Sequence, residues 1–248
     1  MDISSKPPID AALDANRVDL SQVTIVIPVV DDRRTLANLL DDLNWGWFDN
    51  IIISCGDDKE LKCNALNKVT QIRSPRGRGG QIAAAIDLVK TEWIWILHAD
   101  VHVPRKAIGE LRSLIGKAQW GAFRVVIDED VFVYKKLFMV IAFLMNLRSR
   151  ITSIFTGDQG MFLRRELLEK IDGFPRIPLM EDIESSRRLK RLCRGKRAYS
   201  AIFVSNRKWR EQGILLTILR MWWYRVEYFF GTSPERLAAS YYKNEWQD

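Results

Sequence analysis

Between residues 23 and 97, short apolar runs alternate with amphipathic stretches, and that alternation limits the fold more than any other feature of the chain. VTIVIPV (23–29), NIIIS (50–54), KVTQI (68–72) and WIWIL (93–97) have strand length, and most are β-branched or aromatic. A run that is apolar at nearly every position suits a strand covered on both faces. Between these runs, residues 33–44 carry Leu36, Leu39, Leu40 and Leu43 at helical spacing. Residues 58–67 suit a short helix, and GGQIAAAIDLVK (79–90) sets Ile82, Ile86 and Val89 on one face. The pattern predicts an α/β fold, a Rossmann-like, mainly parallel sheet with helices on both faces. Ligands bind beyond the carboxyl ends of the strands in such sheets, so the chemistry is sought there.

The second half is less regular. GAFRVVI (121–127) and AYSAIFV (198–204) read as strands. Residues 131–150, 182–193 and 213–230 read as helices, and GMFLRRELLEKI as a strand entering a helix. In the last of the three helices, Leu215, Ile218, Leu219, Trp222, Val226 and Phe229 form a stripe that suits core packing. Residues 1–20 are polar and aperiodic, as in a loose tail. No linker composition divides the rest, so the expectation is one domain with a C-terminal helical extension.

Lysine and arginine outnumber aspartate and glutamate by 38 to 31, and the net charge of +7 points to an anionic partner. The three cysteines, Cys55, Cys63 and Cys193, form no close pair. That argues against a disulfide framework and for a reducing, cytoplasmic setting. The N-terminus lacks the apolar stretch of a signal peptide. The longest uncharged apolar run, Leu137–Leu147, has 11 residues, well short of the ~20 that span a bilayer.

Several segments carry candidate chemistry. Asp100 follows a buried strand directly, in LHADVH, where a carboxylate can hold a hard cation together with substrate phosphates. His102 is a second candidate ligand, since Mn²⁺ accepts imidazole. An Asp at that place also serves as a simple cap. SPRGRGGQ (74–81) lies between a strand and a helix. Its glycines permit close backbone approach, the helix start favours an anion, and Arg76 and Arg78 suit phosphate. It matches neither the P-loop nor the GxGxxG pattern. In PLMEDIE (178–184), Glu181 and Asp182 suit either helix capping or general-base work. Gly157-Asp158-Gln159-Gly160 reads equally as a ligand loop and as a turn. The basic run 187–197 suits the solvated face of a helix better than a nucleic-acid site. Trp223 and Tyr224, with Arg220 and Arg225 nearby, suit a membrane interface.

In order, IVIPVVDD, SPRGRGGQ, LHADVHVP, GDQGMFLRREL and DGFPRIPLMEDIE resemble the motifs of family 2 glycosyltransferases. RMWWYR and GTSPERLA resemble the branch labelled rSAM/selenodomain-associated transferase 2. The resemblance covers residues 22–243. It implies a GT-A fold over 21–205, with a nucleotide-sugar half (21–104), an acceptor half (105–205) and a helical extension (206–248). It also implies inverting, metal-assisted sugar transfer from a UDP- or GDP-linked donor to an acceptor hydroxyl, with Mn²⁺ or Mg²⁺. By motif, Pro28, Val29, Val30 and Asp31 line the nucleotide site, and Arg76, Arg78 and Gln81 lie near the base or diphosphate. Asp100 stands for the last acid of the family's DxD, and Asp182 for its general base. Glu181, Gly157, Asp158 and Gln159 lie on the acceptor side.

The sequence departs from the pattern twice. Ser54 replaces the acid that usually follows the second strand, with Asp57 or Asp58 as substitutes only after a loop shift. His98 replaces the first acid of DxD, as it does in the narrower branch. The aromatic helices suit a lipid-linked acceptor and a peripheral position on the inner membrane face. Two competing readings remain. A nucleotidyltransferase would need a glycine-rich loop after the first strand, which Pro28–Asp31 lacks. A basic membrane- or nucleic-acid-binding module on an inactive GT-A fold is the other, with nucleic acid the weaker partner.

Overall fold

The computed structural model describes residues 19–30, 33–43, 47–56, 68–129, 131–206 and 213–245. The expected helix over 58–67, the N-terminal tail before residue 19, Asp31 and Asp57 lie outside these residues.

The expected strands form. β1 (Val23–Val29), β2 (Asn50–Cys55), β3 (Val69–Arg73) and β4 (Trp93–Ile96) lie side by side in parallel, with β1 between β2 and β4. Four more strands extend the sheet: β5 (Val101–His102), β6 (Trp120–Ile127), β7 (Phe162–Arg164) and β8 (Lys196–Val204). The order is β3-β2-β1-β4-β7-β6-β8-β5. β7 runs antiparallel to both neighbours and turns the sheet's direction beside β4. β6 and β8 pair in parallel, and β5 closes the far edge antiparallel to β8.

Alternate residues of each central strand enter opposite cores. Ile25, Ile27, Ile51, Ile53, Trp93 and Trp95 join one cluster, and Val26, Ile52, Ile94 and Ile96 the other. This two-sided burial accounts for the continuous apolar runs. The first cluster is covered by α1 (Arg33–Leu43), α3 (Arg105–Leu114) and α4 (Phe132–Thr152), through Leu39, Leu111 and Phe138. The second is covered by α2 (Arg78–Ile86), α5 (Glu166–Glu169) and α6 (Glu181–Leu192), through Ile82, Leu168 and Leu189.

Two helices follow the sheet, α7 (Ile214–Phe229) and α8 (Pro234–Glu245). Here the sequence expectation holds only in part: Ile218 of the stripe packs against the first core cluster, but most of the stripe does not. Leu219, Trp222, Val226 and Phe229, read as a core stripe, are exposed. Tyr224, which lies off that stripe, is the buried residue, packed with Leu179, Leu237 and Ala238. α8 covers the Tyr224 side of α7, so the larger apolar face is left outward.

Candidate active site

A cleft of about 160 Å³ opens beside the carboxyl end of β4. His98 and Asp100 enter it from the segment after that strand, Arg78 from the first turn of α2, and Gly157 and Asp158 from a one-turn helix. Glu181 and Asp182 come from the first turn of α6, and Arg225 and Tyr241 from the C-terminal helices.

Local backbone chemistry sets the α6 end. Met180 precedes the helix with φ of 68°, a left-handed conformation that costs a non-glycine residue energy and is found most often at functional sites. Three acids fill the first turn and Lys190 and Arg191 the last, complementing the helix dipole. The Asp182 carboxylate accepts two backbone hydrogen bonds, from Gly157 N at 2.8 Å and Ile183 N at 2.7 Å. It is thereby fixed to both the turn and the helix.

Gly157 has a steric reason. A Cβ there would sit 2.3 Å from the His98 ring, so only glycine admits the imidazole. His98 Nδ1 faces Asp158 at 3.4 Å, and its Nε2 is buried without a hydrogen-bond partner. Gly79 acts similarly at the other wall. A Cβ there would lie 2.2 Å from Ile177 O and 2.6 Å from Pro175 O. The glycine lets α2 press against the loop before α6, beside Arg78.

The buried charges adjust to one another. Burial opposes the charge on Asp158, but the hydrogen bond and charge of His98, with Arg78 and Arg225, outweigh it and hold the carboxyl at about 2. Glu181 goes the other way. Burial and the adjacent Asp182 carboxylate push it to about 7, against the pull of Arg78. Burial also acts against the Arg78 cation, yet Tyr241, Glu181 and Asp158 raise its pKa above the ordinary value.

The raised Glu181 carboxyl has a pH consequence. Folded, it keeps its proton to about pH 7, whereas the ordinary value is 4.5. Its contribution to stability is therefore full below pH 4.5 and lost as pH rises through 7. Glu181→Gln removes this dependence. The urea midpoint of the parent should fall relative to that of the variant across this window, and parallel curves would show that Glu181 ionises normally.

Arg78, Asp100, Gly157, Asp158, Glu181 and Asp182 are thus brought together in one cleft. Other candidates stand apart from it. Pro28, Val29 and Val30 lie at the end of β1, next to Ser54 on β2. Ser54 is fully buried, with its hydroxyl 2.8 Å from that of Ser74. Gln81 is buried too, and its amide donates to Val29 O and Ser54 O, bracing the two strand ends. Arg76 is exposed. Gln159 points inward and donates to Phe123 O and Ser149 Oγ. His102 is bound through Nδ1 to Asp42 at 2.7 Å and does not line the cleft.

Among the described residues, no group of three or more His, Cys, Asp or Glu forms a ready metal cage. Asp100 is a cleft carboxylate of the type that can hold a hard cation. Sequence reasoning missed His98, Arg225 and Tyr241 as parts of the cleft. Only His98 left a signal, as the residue in place of an expected acid.

A family model described as Glycosyl transferase family 2 matches residues 24–172. No curated protein sequence matches the chain. Among solved structures, the crystal structure of S. aureus TarS 1–349 aligns with a TM-score of 0.56 at 16% identity, covering 74% of this chain and 60% of that one. TarS 1–349 in complex with UDP-GlcNAc aligns at 0.55 and 16%, covering 74% and 58%. The complex with UDP aligns at 0.56 and 15%, covering 74% and 60%. The chain thus spans about three fifths of the length of these structures, and at such identity the likeness is one of fold.

Proposed function

The chain belongs to glycosyl transferase family 2 and has the GT-A fold, and from that premise we propose that it is an inverting transferase that moves a sugar from a nucleotide-diphosphate donor to an acceptor hydroxyl. The supporting observation is the Asp182 carboxylate, fixed by two backbone N–H groups on the wall of a cleft that also holds Asp100 and Arg78. In this reading Asp182 takes the hydroxyl proton as the acceptor oxygen bonds to the anomeric carbon. The bond from that carbon to the donor phosphate breaks, and the nucleoside diphosphate leaves with its electron pair. Arg78 stabilises the charge on the leaving group. A divalent cation, Mn²⁺ or Mg²⁺, would be held by Asp100, and when bound it supplies Lewis-acid neutralisation of the diphosphate.

The cleft is smaller than the ~300 Å³ that begins the usual range for drug-sized ligands. It suits the reacting sugar and phosphate rather than the entire donor. The nucleotide then extends over the ends of β1 and β2, toward Val30 and Arg76. With Ser54 buried, its side chain does not read the base. A uridine donor is the preferred expectation, because the similar TarS structures were solved with UDP and UDP-GlcNAc. Membership of the rSAM/selenodomain-associated branch and a place at the inner membrane face belong to the same proposal.

Thermal unfolding with UDP, GDP and their sugar conjugates, with and without Mn²⁺, tests the donor. A ligand at 100 times its Kd adds about 2.7 kcal/mol of stability. The expected result is a Mn²⁺-dependent rise with UDP and its conjugates. No rise with any nucleotide would refute donor binding.

A further inference from the structure

Two arginines of the cleft region are not used by the proposed chemistry. Arg225 on α7 lines the cleft, and Arg148 on α4 is close enough to feel the charges of Arg225, Asp182 and Asp158, of which the two acids also act on Arg225. Those acids are already engaged, Asp182 by Gly157 N and Ile183 N, Asp158 by His98. Nε and Nη2 of Arg148 are buried with no hydrogen-bond partner. Two neighbouring guanidinium groups, one with unmet donors, are costly unless an anion joins them. The burial and the Arg225 charge together lower Arg148 to about 10.

The same two helices carry the main exposed apolar faces. On α4, Leu137, Val140, Leu144, Leu147 and Ile151 recur at intervals of three and four residues and are all exposed. On α7 the outward residues include Trp222, Trp223 and Phe229. No described helix is long and apolar enough to cross a membrane. Apolar faces of this kind, on the helices that also carry the two arginines, suit the surface of an anionic bilayer.

Resting on the glycosyltransferase reading, we propose that the acceptor is a membrane lipid whose headgroup carries a phosphate beside the hydroxyl, the phosphate held by Arg148 and Arg225 and the acyl chains lying against the exposed faces of α4 and α7. A phosphate offers several acceptor oxygens to the planar donor fork of arginine. This would place the headgroup hydroxyl on the Asp182 side of the cleft.

The test is sedimentation of the full chain with phosphatidylcholine vesicles containing phosphatidylglycerol. Matched vesicles contain diacylglycerol, and a third arm offers soluble glycerol phosphate. Binding should be at least tenfold tighter with phosphatidylglycerol than with either alternative. Arg225→Gln should weaken it about tenfold, since a hydrogen bond to a charged group contributes about that much or more. Lys170→Gln, an equal charge loss on the opposite face of the sheet, should change it less than about twofold for a single screened surface charge. Equal losses in the two variants would overturn the site, as would equal binding to diacylglycerol vesicles or to glycerol phosphate. Arg148→Gln adds a check on its role. An unpaired buried cation gives the fold nothing, so the variant should melt no lower than the parent, and a clear drop would assign Arg148 to structure instead. A UDP-dependent thermal shift measured on each variant keeps failure of the donor site distinct from failure of this one.

Discussion

Asp182→Asn is expected to slow sugar transfer by ~10²–10⁴-fold, the usual contribution of a positioned general base, while the chain remains folded. The second half of that expectation follows from the hydrogen bonds. Asp182 accepts from Gly157 N and Ile183 N through different oxygens. Asparagine keeps one acceptor oxygen and turns an NH₂ toward the other donor. One backbone N–H is then left unmatched, at a cost of about 1–3 kcal/mol. That is below the roughly 5–15 kcal/mol stability of an ordinary domain. Donor binding should survive, because Asp100 and Arg78 are untouched. The measurement is nucleoside diphosphate release with a competent acceptor, beside a thermal melt. Transfer at the parent rate by a folded variant would remove Asp182 from the reaction.

The largest stability effect should come from one methyl group at Gly79, and its neighbour supplies the control. At Gly79 a Cβ meets the carbonyl oxygens of Ile177 and Pro175 at 2.2 and 2.6 Å. Both are backbone atoms, so no side-chain rotation relieves the clash, and α2 must move away from the loop. Overpacking of this kind costs typically 1–3 kcal/mol and sometimes more. At Gly80 nothing lies within 4 Å of the added carbon. There, alanine instead gains roughly 0.5–1 kcal/mol from reduced freedom of the unfolded helix. Urea unfolding should therefore show opposite signs for Gly79→Ala and Gly80→Ala. The same sign in both would deny the close contact between α2 and residues 175–177. Gly79→Ala should also weaken nucleotide-dependent stabilisation, because it displaces Arg78.

The central strands were legible in the sequence because burial on both faces leaves a plain mark. Ile25 and Val26 face opposite cores, and each had to be apolar. α3 also has a helical mark in the sequence, with Ala107, Ile108, Leu111 and Leu114 at helical spacing. β5, with two residues, is too short to show any period.

The site was legible in part. Asp100, Asp158 and Asp182, which line the cleft, stand out in the sequence by their places beside strands, turns and helix starts. Their partners were not, because contacts across the fold leave no local trace. Gly79 looked like an opening for a phosphate, whereas it faces backbone almost a hundred residues later. The α7 stripe showed that a face exists but not which way it turns. That was decided by α8, whose Leu237 and Ala238 cover Tyr224.

Glu184 sits two residues after Asp182 and is held by Arg187 at 3.0 Å, Arg188 at 2.9 Å and the Tyr228 hydroxyl at 2.8 Å. Tyr228 belongs to α7, so the helix that presents the apolar face is tied within one turn to the helix that presents the carboxylate. A coupling between ligands on the outer face of α7 and ligands in the cleft is therefore an expected result. A ligand that shifts α7 on binding is expected to act on the start of α6 through this contact. By reciprocity, a donor that prefers one position of α6 changes affinity at the outer surface by the same factor. Tyr228→Phe should leave each site able to bind alone, while reducing the dependence of one affinity on the occupancy of the other.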